Sequence, residues 1–256
     1  NEYEVKDYMK ESNYAEIIDR NISEQTCKKF GVTVKMDNMG TITNHYYPYH
    51  DTQGAKIATK TRYTKLKEFS IQGNTKNSGL FGQHLFSKNK YCIITEGELD
   101  CLSAYQMMLK GTYHTPVVSI KNGISSAVKD IKTSLEWLEN NFENVIINFD
   151  NDEQGREGAM KVAELFSPGK CKVMHLPEGF KDASDCLSKN KIQIYNKTFW
   201  DAKVFAPDGI INANILFDEV AKPITKSFVQ YPFEGLNKIT YGLRPAELVT
   251  FTAGSG

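Results

Sequence analysis

Two short acidic runs carry the chemistry legible in this sequence, Thr95-Glu96-Gly97-Glu98-Leu99-Asp100 and Asp150-Asn151-Asp152-Glu153-Gln154-Gly155-Arg156. Carboxylates gathered at one spot repel one another unless a cation lies between them, so a cluster of acids points to a metal. In extended chain, residues two apart face the same way, and Asp150 and Asp152 can therefore converge, while Gly97 permits the sharp turn that presents Glu96 beside them. The two runs contain no histidine or cysteine. Ligation by oxygen alone suits Mg²⁺ or Mn²⁺, which keep waters and bridge to substrate phosphates. The plainer reading is helix chemistry, since Asp100, Asp152 and Glu153 would each meet the positive end of a helix dipole. A third run, Lys181-Asp182-Ala183-Ser184-Asp185, either adds Asp182 to the cluster or caps a short helix.

What must position these acids is an alternating series of strands and helices. Tyr91–Thr95, Pro116–Ile120, Val145–Phe149 and Cys171–His175 read as strands, and Leu99–Leu109, Ser125–Asn140 and Gly155–Phe166 carry apolar residues at helical spacing. That order predicts an α/β fold with a mainly parallel βαβ sheet, whose ligands bind beyond the carboxyl ends of the strands. Both principal acidic runs fall at such ends.

Ahead of this series the chain reads differently, as a small antiparallel α+β part. Ser23 is an N-cap for a helix running to about Phe30, with Gly31 as left-handed C-cap. Turn residues Asp37–Gly40 and Asp51–Gly54 bracket Thr41–Tyr49, rich in β-branched and aromatic residues, which predicts a meander. Lys56–Lys76 then holds Lys56, Lys60, Arg62, Lys65, Lys67 and Lys76 against the single acid Glu68. This basic run is either a phosphate-binding surface or a solvated strand edge guarded by lysines.

Over its 256 residues the chain carries 31 basic and 31 acidic side chains, so any surface for nucleic acid must be local. Its five cysteines are scattered without a C-x-x-C pair, which predicts buried, reduced thiols rather than a zinc ribbon or disulfide framework. No apolar run is long enough to span a bilayer and no signal peptide is legible, so a cytoplasmic setting and no membrane partner are expected. Both ends read as cut, the chain starting at Asn1 and stopping at Gly254-Ser255-Gly256. The divisions expected are an unassigned 1–20, a basic subdomain 21–88, a catalytic α/β domain 89–205, a linker 206–230 with a helix over Asn212–Ala221, and a further domain beginning at 231, turn-rich over Tyr231–Leu243 and with a strand over Glu247–Thr252.

The pair T-E-G-E-L-D and F-D-N-D-E-Q-G-R, separated by an apolar strand and helix, resembles the Toprim domain of DnaG-type primases, topoisomerases and related nucleases. Lys60-x-Arg62, Leu80–Leu85, Pro116–Ser119 and Lys181–Ala183 resemble the bifunctional primase-helicases of T-odd bacteriophages and their mitochondrial relative Twinkle. The resemblance implies that Glu96, Asp150 and Asp152 bind metal and catalyse, with Asp182 a further ligand. It also implies that Lys60, Arg62 and one of Lys65 and Lys67 contact nucleotide or template. Lys121, where the family has a small residue, either contacts phosphate or caps its strand. Gly235–Asn237, Gly242–Pro245 and Glu247–Gly256 resemble the start of a RecA-like helicase core, with Gly254, Ser255 and Gly256 opening its nucleotide-binding Walker A loop. By the same resemblance the activity is primer synthesis from ribonucleoside triphosphates on single-stranded DNA, within a homo-hexamer that works beside a replicative DNA polymerase in a phage-infected cytoplasm or a mitochondrion. The family's zinc ribbon is absent from these residues. A non-priming, Twinkle-like DNA-binding and oligomerisation module and a Toprim nuclease are the alternatives.

Overall fold

The computed structural model describes residues 12–66, 68–206, 221, 229–243, 248–250 and 252–254. The chain divides into two compact units, the first ending at Pro207 and the second beginning at Asp208. Lys67, most of the expected linker helix Asn212–Ala221, and Ser255 and Gly256 lie outside the described residues.

Local signals set the elements of the first unit. The expected helix is present as α1 (Glu24–Phe30): Ser23 Oγ accepts from the Thr26 amide, and Gly31, at φ 71°, donates to the Cys27 and Lys28 carbonyls. The meander follows as β1 (Thr33–Met36), β2 (Ile42–His50), β3 (Lys56–Tyr63) and β4 (Glu68–Gly73), all antiparallel in that order. Its two tight turns are held by aspartates: Asp37 Oδ1 accepts from the Met39 and Thr41 amides, and Asp51 Oδ1 from those of Gln53 and Ala55. Part of the segment left unassigned belongs to this body, because Asn13 bridges to Val34 and Ile17 is fully buried.

The second sheet has the order β6-β5-β7-β8-β9. Its strands are β5 (Asn89–Thr95), β6 (Val117–Ser119), β7 (Phe142–Asn148) and β8 (Cys171–Val173), mutually parallel, and β9 (Lys203–Val204), antiparallel to β8. Between them lie α2 (Glu98–Met107), α3 (Ala127–Asn141) and α4 (Glu153–Ala163), with α5 (Ala183–Ser188) and α6 (Ile192–Trp200) after β8. The chain leaves β5 for β6 on one side and returns to β7 on the other. That reversal opens a crevice at the carboxyl end of β5, where such sheets bind ligands.

Strand alternation divides the core. Cys92, Ile94, Val145 and Ile147 face α3 and α4, while Ile93 and Ile146 face a cluster that also takes in Tyr47, Tyr49 and Ala58 of the first sheet and Tyr195 of α6. One hydrophobic core thus joins both sheets. All five cysteines are buried free thiols, as expected.

In the second unit, the expected turn-rich stretch contains a helix, Glu234–Thr240, closed by Tyr241 at φ 63°. The stretch expected as a strand over Glu247–Thr252 shows none among its described residues, and Leu248 is 94% exposed. Apolar composition makes a strand only where a neighbour pairs with it. No described helix is long and apolar enough to cross a membrane.

Candidate active site

A cleft of about 880 Å³ opens where the carboxyl edge of the parallel sheet faces the antiparallel one. Glu96 enters it just after β5, Asp150 after β7 and Asp182 after β8, and Asp100 comes up from the first turn of α2. Lys60 and Arg62 of β3 line the same cleft from the other sheet.

The carboxylates are crowded and poorly solvated. Burial, and then the charge of Asp150, raise the carboxyl of Glu96 above the ordinary range, although the Asp150 and Ile124 amides pull the other way. Burial also raises Asp150, against the opposing hydrogen bond and charge of Lys181, whose Nζ stands 3.0 Å from Asp150 Oδ2. Asp100 lies well above the usual carboxylate range because it is buried and faces Asp182 and Asp150. Such a group of acids is the arrangement that a divalent cation relieves.

Each acid is also held by a specific donor. Asp152 caps α4, its Oδ1 accepting from the Gly155 amide at 2.8 Å. Asp182 caps α5 in the same way, from the Asp185 amide at 2.7 Å, and Asp100 Oδ1 takes the Ser184 amide at 3.1 Å. As the side chains stand, no three acids among the described residues are gathered tightly enough to hold an ion. A carboxylate has two oxygens, so the capping bonds orient these groups while leaving ligating capacity. The donor set is all oxygen and fits a hard cation such as Mg²⁺ or Mn²⁺.

The residues expected from the sequence take different places. Asp150 and Asp182 line the cleft; Asp152 does not, although its charge reaches Glu96. Asp152 and Asp182 both show the helix-capping role that was the alternative to ligation, Asp182 doing so from within the cleft. Lys60 is neither a solvated edge lysine nor an unengaged phosphate hook. Its Nζ sits 2.8 Å from Glu98 Oε1 and donates to the Lys121 carbonyl at 2.8 Å. Lys121 is buried and turned to the structure behind, donating to the Ser78 and Thr75 carbonyls at 3.1 and 3.3 Å, with Asp130 at 3.8 Å. Those carbonyls belong to the segment between β4 and β5, so the ammonium braces that segment and caps no carbonyl of its own strand. Lys65 is exposed on the turn between β3 and β4, and Gly254 is exposed in the second unit.

Three cleft residues take roles beyond those expected from the sequence. Glu98, buried, receives both Lys60 and the Tyr49 hydroxyl, the latter at 2.6 Å, and so ties the two sheets together behind the cleft. Asp100 falls four residues after Glu96, a spacing that could have marked it. The cation of the Lys181-Asp182 pair was legible as charge next to acid, but its partner Asp150 is distant in sequence.

Residues 93–187 match the model of the Toprim-like family, and residues 12–73 match that of the bacteriophage T7 DNA helicase/primase N-terminal α+β fold. The primase fragment of the bacteriophage T7 primase-helicase superposes with a TM-score of 0.65 at 32% identity, over 74% of each chain. The chain belongs to this primase-helicase family. A second T7 structure, of the lagging-strand DNA polymerase with primase domains bound to an RNA/DNA hybrid and dTTP, matches at TM-score 0.67 and 31% identity over 76% of this chain and 94% of that one. The DNA helicase/primase of Enterobacteria phage T3 is 34% identical over 249 residues, 95% of this chain. The chain spans 42% of that relative's length. The two family models divide at the cleft, one covering β3 with Lys60 and Arg62 and the other covering Glu96, Asp150 and Asp182.

Proposed function

We propose that this is the primer-synthesising domain of a replicative primase-helicase, joining ribonucleotides on single-stranded DNA with Mg²⁺ or Mn²⁺. The observation that carries this reading is one cleft with Glu96 and Asp150 from the ends of β5 and β7 and Asp182 from the start of α5 on one wall, and Lys60 and Arg62 on the other. Primer extension needs both, because a 3′-hydroxyl attacks an α-phosphate while charge gathers on the departing pyrophosphate. Glu96, Asp100, Asp150 and Asp182 would hold the divalent ions, which supply activation of the attacking oxygen and neutralisation of the leaving group. Arg62 and Lys60 bind the phosphate oxygens that remain. Glu98 and the Lys121 carbonyl hold the Lys60 ammonium in place before any substrate arrives, so little ordering remains to be done at binding. Lys181 balances the charge of Asp150, a task that a bound divalent ion would share. In the full-length protein we place this domain in a homo-hexamer formed through the helicase part, next to the replicative polymerase.

The test is oligoribonucleotide synthesis on single-stranded DNA with all four ribonucleotides and Mg²⁺, comparing the parent chain with Asp150→Ala. The parent should make product; the variant, or the parent after chelation, should lose it by at least 100-fold. Absence of product from the parent, with single-stranded DNA still bound in a gel shift, would favour a non-priming DNA-binding module. Cut template would favour a nuclease.

A further inference from the structure

Strand β4 alternates apolar and polar side chains as a half-buried strand does, Phe69, Ile71 and Gly73 against Glu68, Ser70 and Gln72. Yet all six residues are exposed, with Phe69 at 52% and Ile71 at 44%. The strand is the free edge of its sheet, where exposed apolar side chains invite aggregation and where proteins ordinarily place charge. Register shows which way the apolar face looks. Phe69 pairs with Arg62 and Ile71 with Lys60, and directly paired residues share a face, so Phe69 and Ile71 point into the catalytic cleft and line it. The Lys60 and Arg62 cations lie over the Phe69 ring, and about half of Phe69 and of Ile71 stays exposed.

We propose that Phe69, backed by Ile71, is a platform on which a nucleobase stacks inside the cleft. The inference rests on the polymerising reading of the site and deepens it by assigning the base a place. The Lys60 ammonium lies 4.7 Å and the Arg62 guanidinium 5.9 Å from the ring centroid. A phosphate bound by those cations thus brings its own base, or the base it is pairing with, beside the ring. Every base has a π face, so an aromatic platform accepts all four, as copying a template demands. Hydrogen-bonding groups in its place would favour one base.

The alternative use of the ring is to shield the two cations, and the tests separate the two roles. Binding of ribonucleoside triphosphates, of inorganic tripolyphosphate, and of single-stranded oligodeoxynucleotides with and without abasic positions is measured by calorimetry with Mg²⁺. The parent is compared with Phe69→Leu and Phe69→Trp. Phe69→Leu should weaken nucleotide binding roughly ten-fold, the loss of one stacked base, and leave tripolyphosphate unchanged. Phe69→Trp should retain binding, and its added indole emission should be quenched by nucleotide. If Phe69→Leu spares the triphosphates but weakens the oligodeoxynucleotide and not its abasic counterpart, the stacked base is the template's. Equal loss for nucleotide and tripolyphosphate, or no loss for any ligand, overturns the platform. So does concentration-dependent dimerisation that Phe69→Leu abolishes with nucleotide binding intact. If the parent binds neither nucleotide nor tripolyphosphate, the polymerising reading fails first and the platform falls with it.

Discussion

At the scale of single residues, Lys60 has two tasks that a simple alanine scan would confound. It neutralises buried Glu98 and it presents positive charge to the cleft. Removing one partner of a buried ion pair leaves the other charge stranded, at a cost of about 3–5 kcal/mol, whereas replacing both is far gentler. Lys60→Met should therefore destabilise the chain strongly in urea denaturation, and Lys60→Met with Glu98→Gln should recover most of that loss. The double variant should still fail to extend primers. Recovery of activity together with stability would show Lys60 to be structural alone. Some of this site was legible in advance and some was not. Asp150 and Glu96 could be placed by strand ends and spacing, because both depend on local chain geometry. The Lys60–Glu98 and Lys181–Asp150 pairs depend on packing between distant segments, which periodicity does not encode. Asp152 is extended, as the alternation expects, but its Oδ1 also caps α4, a second use of the same carboxylate that spacing alone does not distinguish from ligation.

At the scale of elements, the acidic loop after β7 depends on a glycine. A β-carbon built on Gly155 would lie 2.0 Å from the Asp150 carbonyl oxygen and 2.9 Å from its carbonyl carbon. Backbone cannot be pushed aside cheaply, so α4 can start this close to β7 only with glycine there. Gly155→Ala, normally a favourable change in a helix, should here lower stability by about 1–3 kcal/mol and reduce primer synthesis more than that loss of folded protein explains. Thermal melting alongside activity at a temperature where the variant stays folded checks this. The strands and helices of the βαβ series were readable because each is long and periodic. β9 was not, being two residues long. The helix Glu234–Thr240 was obscured by the turn-forming residues that flank it.

For the molecule as a whole, acid should act through His45 of β2, buried with its Nδ1 3.0 Å from the Tyr47 hydroxyl. Burial, reinforced by Arg62, lowers its imidazole to about 4. Between its ordinary value and about 4 the unfolded chain takes up a proton that the folded chain refuses, so stability falls as pH falls through that window. The effect is on the order of 3 kcal/mol at most. Glu96, Asp100 and Asp150, raised by burial, oppose it, since protonating them relieves the folded state. Melting temperatures from pH 7 down to 4.5 should fall more steeply for the parent than for His45→Gln; parallel curves would remove His45 from the account.

The N-terminal turn Ile18–Arg20 and the residue after it rest on α5, with Asn21 Nδ2 donating to the Leu187 and Ser188 carbonyls, some 166 residues away along the chain. Tyr47 and Tyr49 share their core with Leu187 and Tyr195. During synthesis from the amino terminus, the antiparallel sheet therefore emerges long before the segment that closes it. Until α5 has left the ribosome, the turn at Ile18–Arg20 has no seat. A nascent chain at that stage exposes apolar surface that chaperones bind and that aggregates.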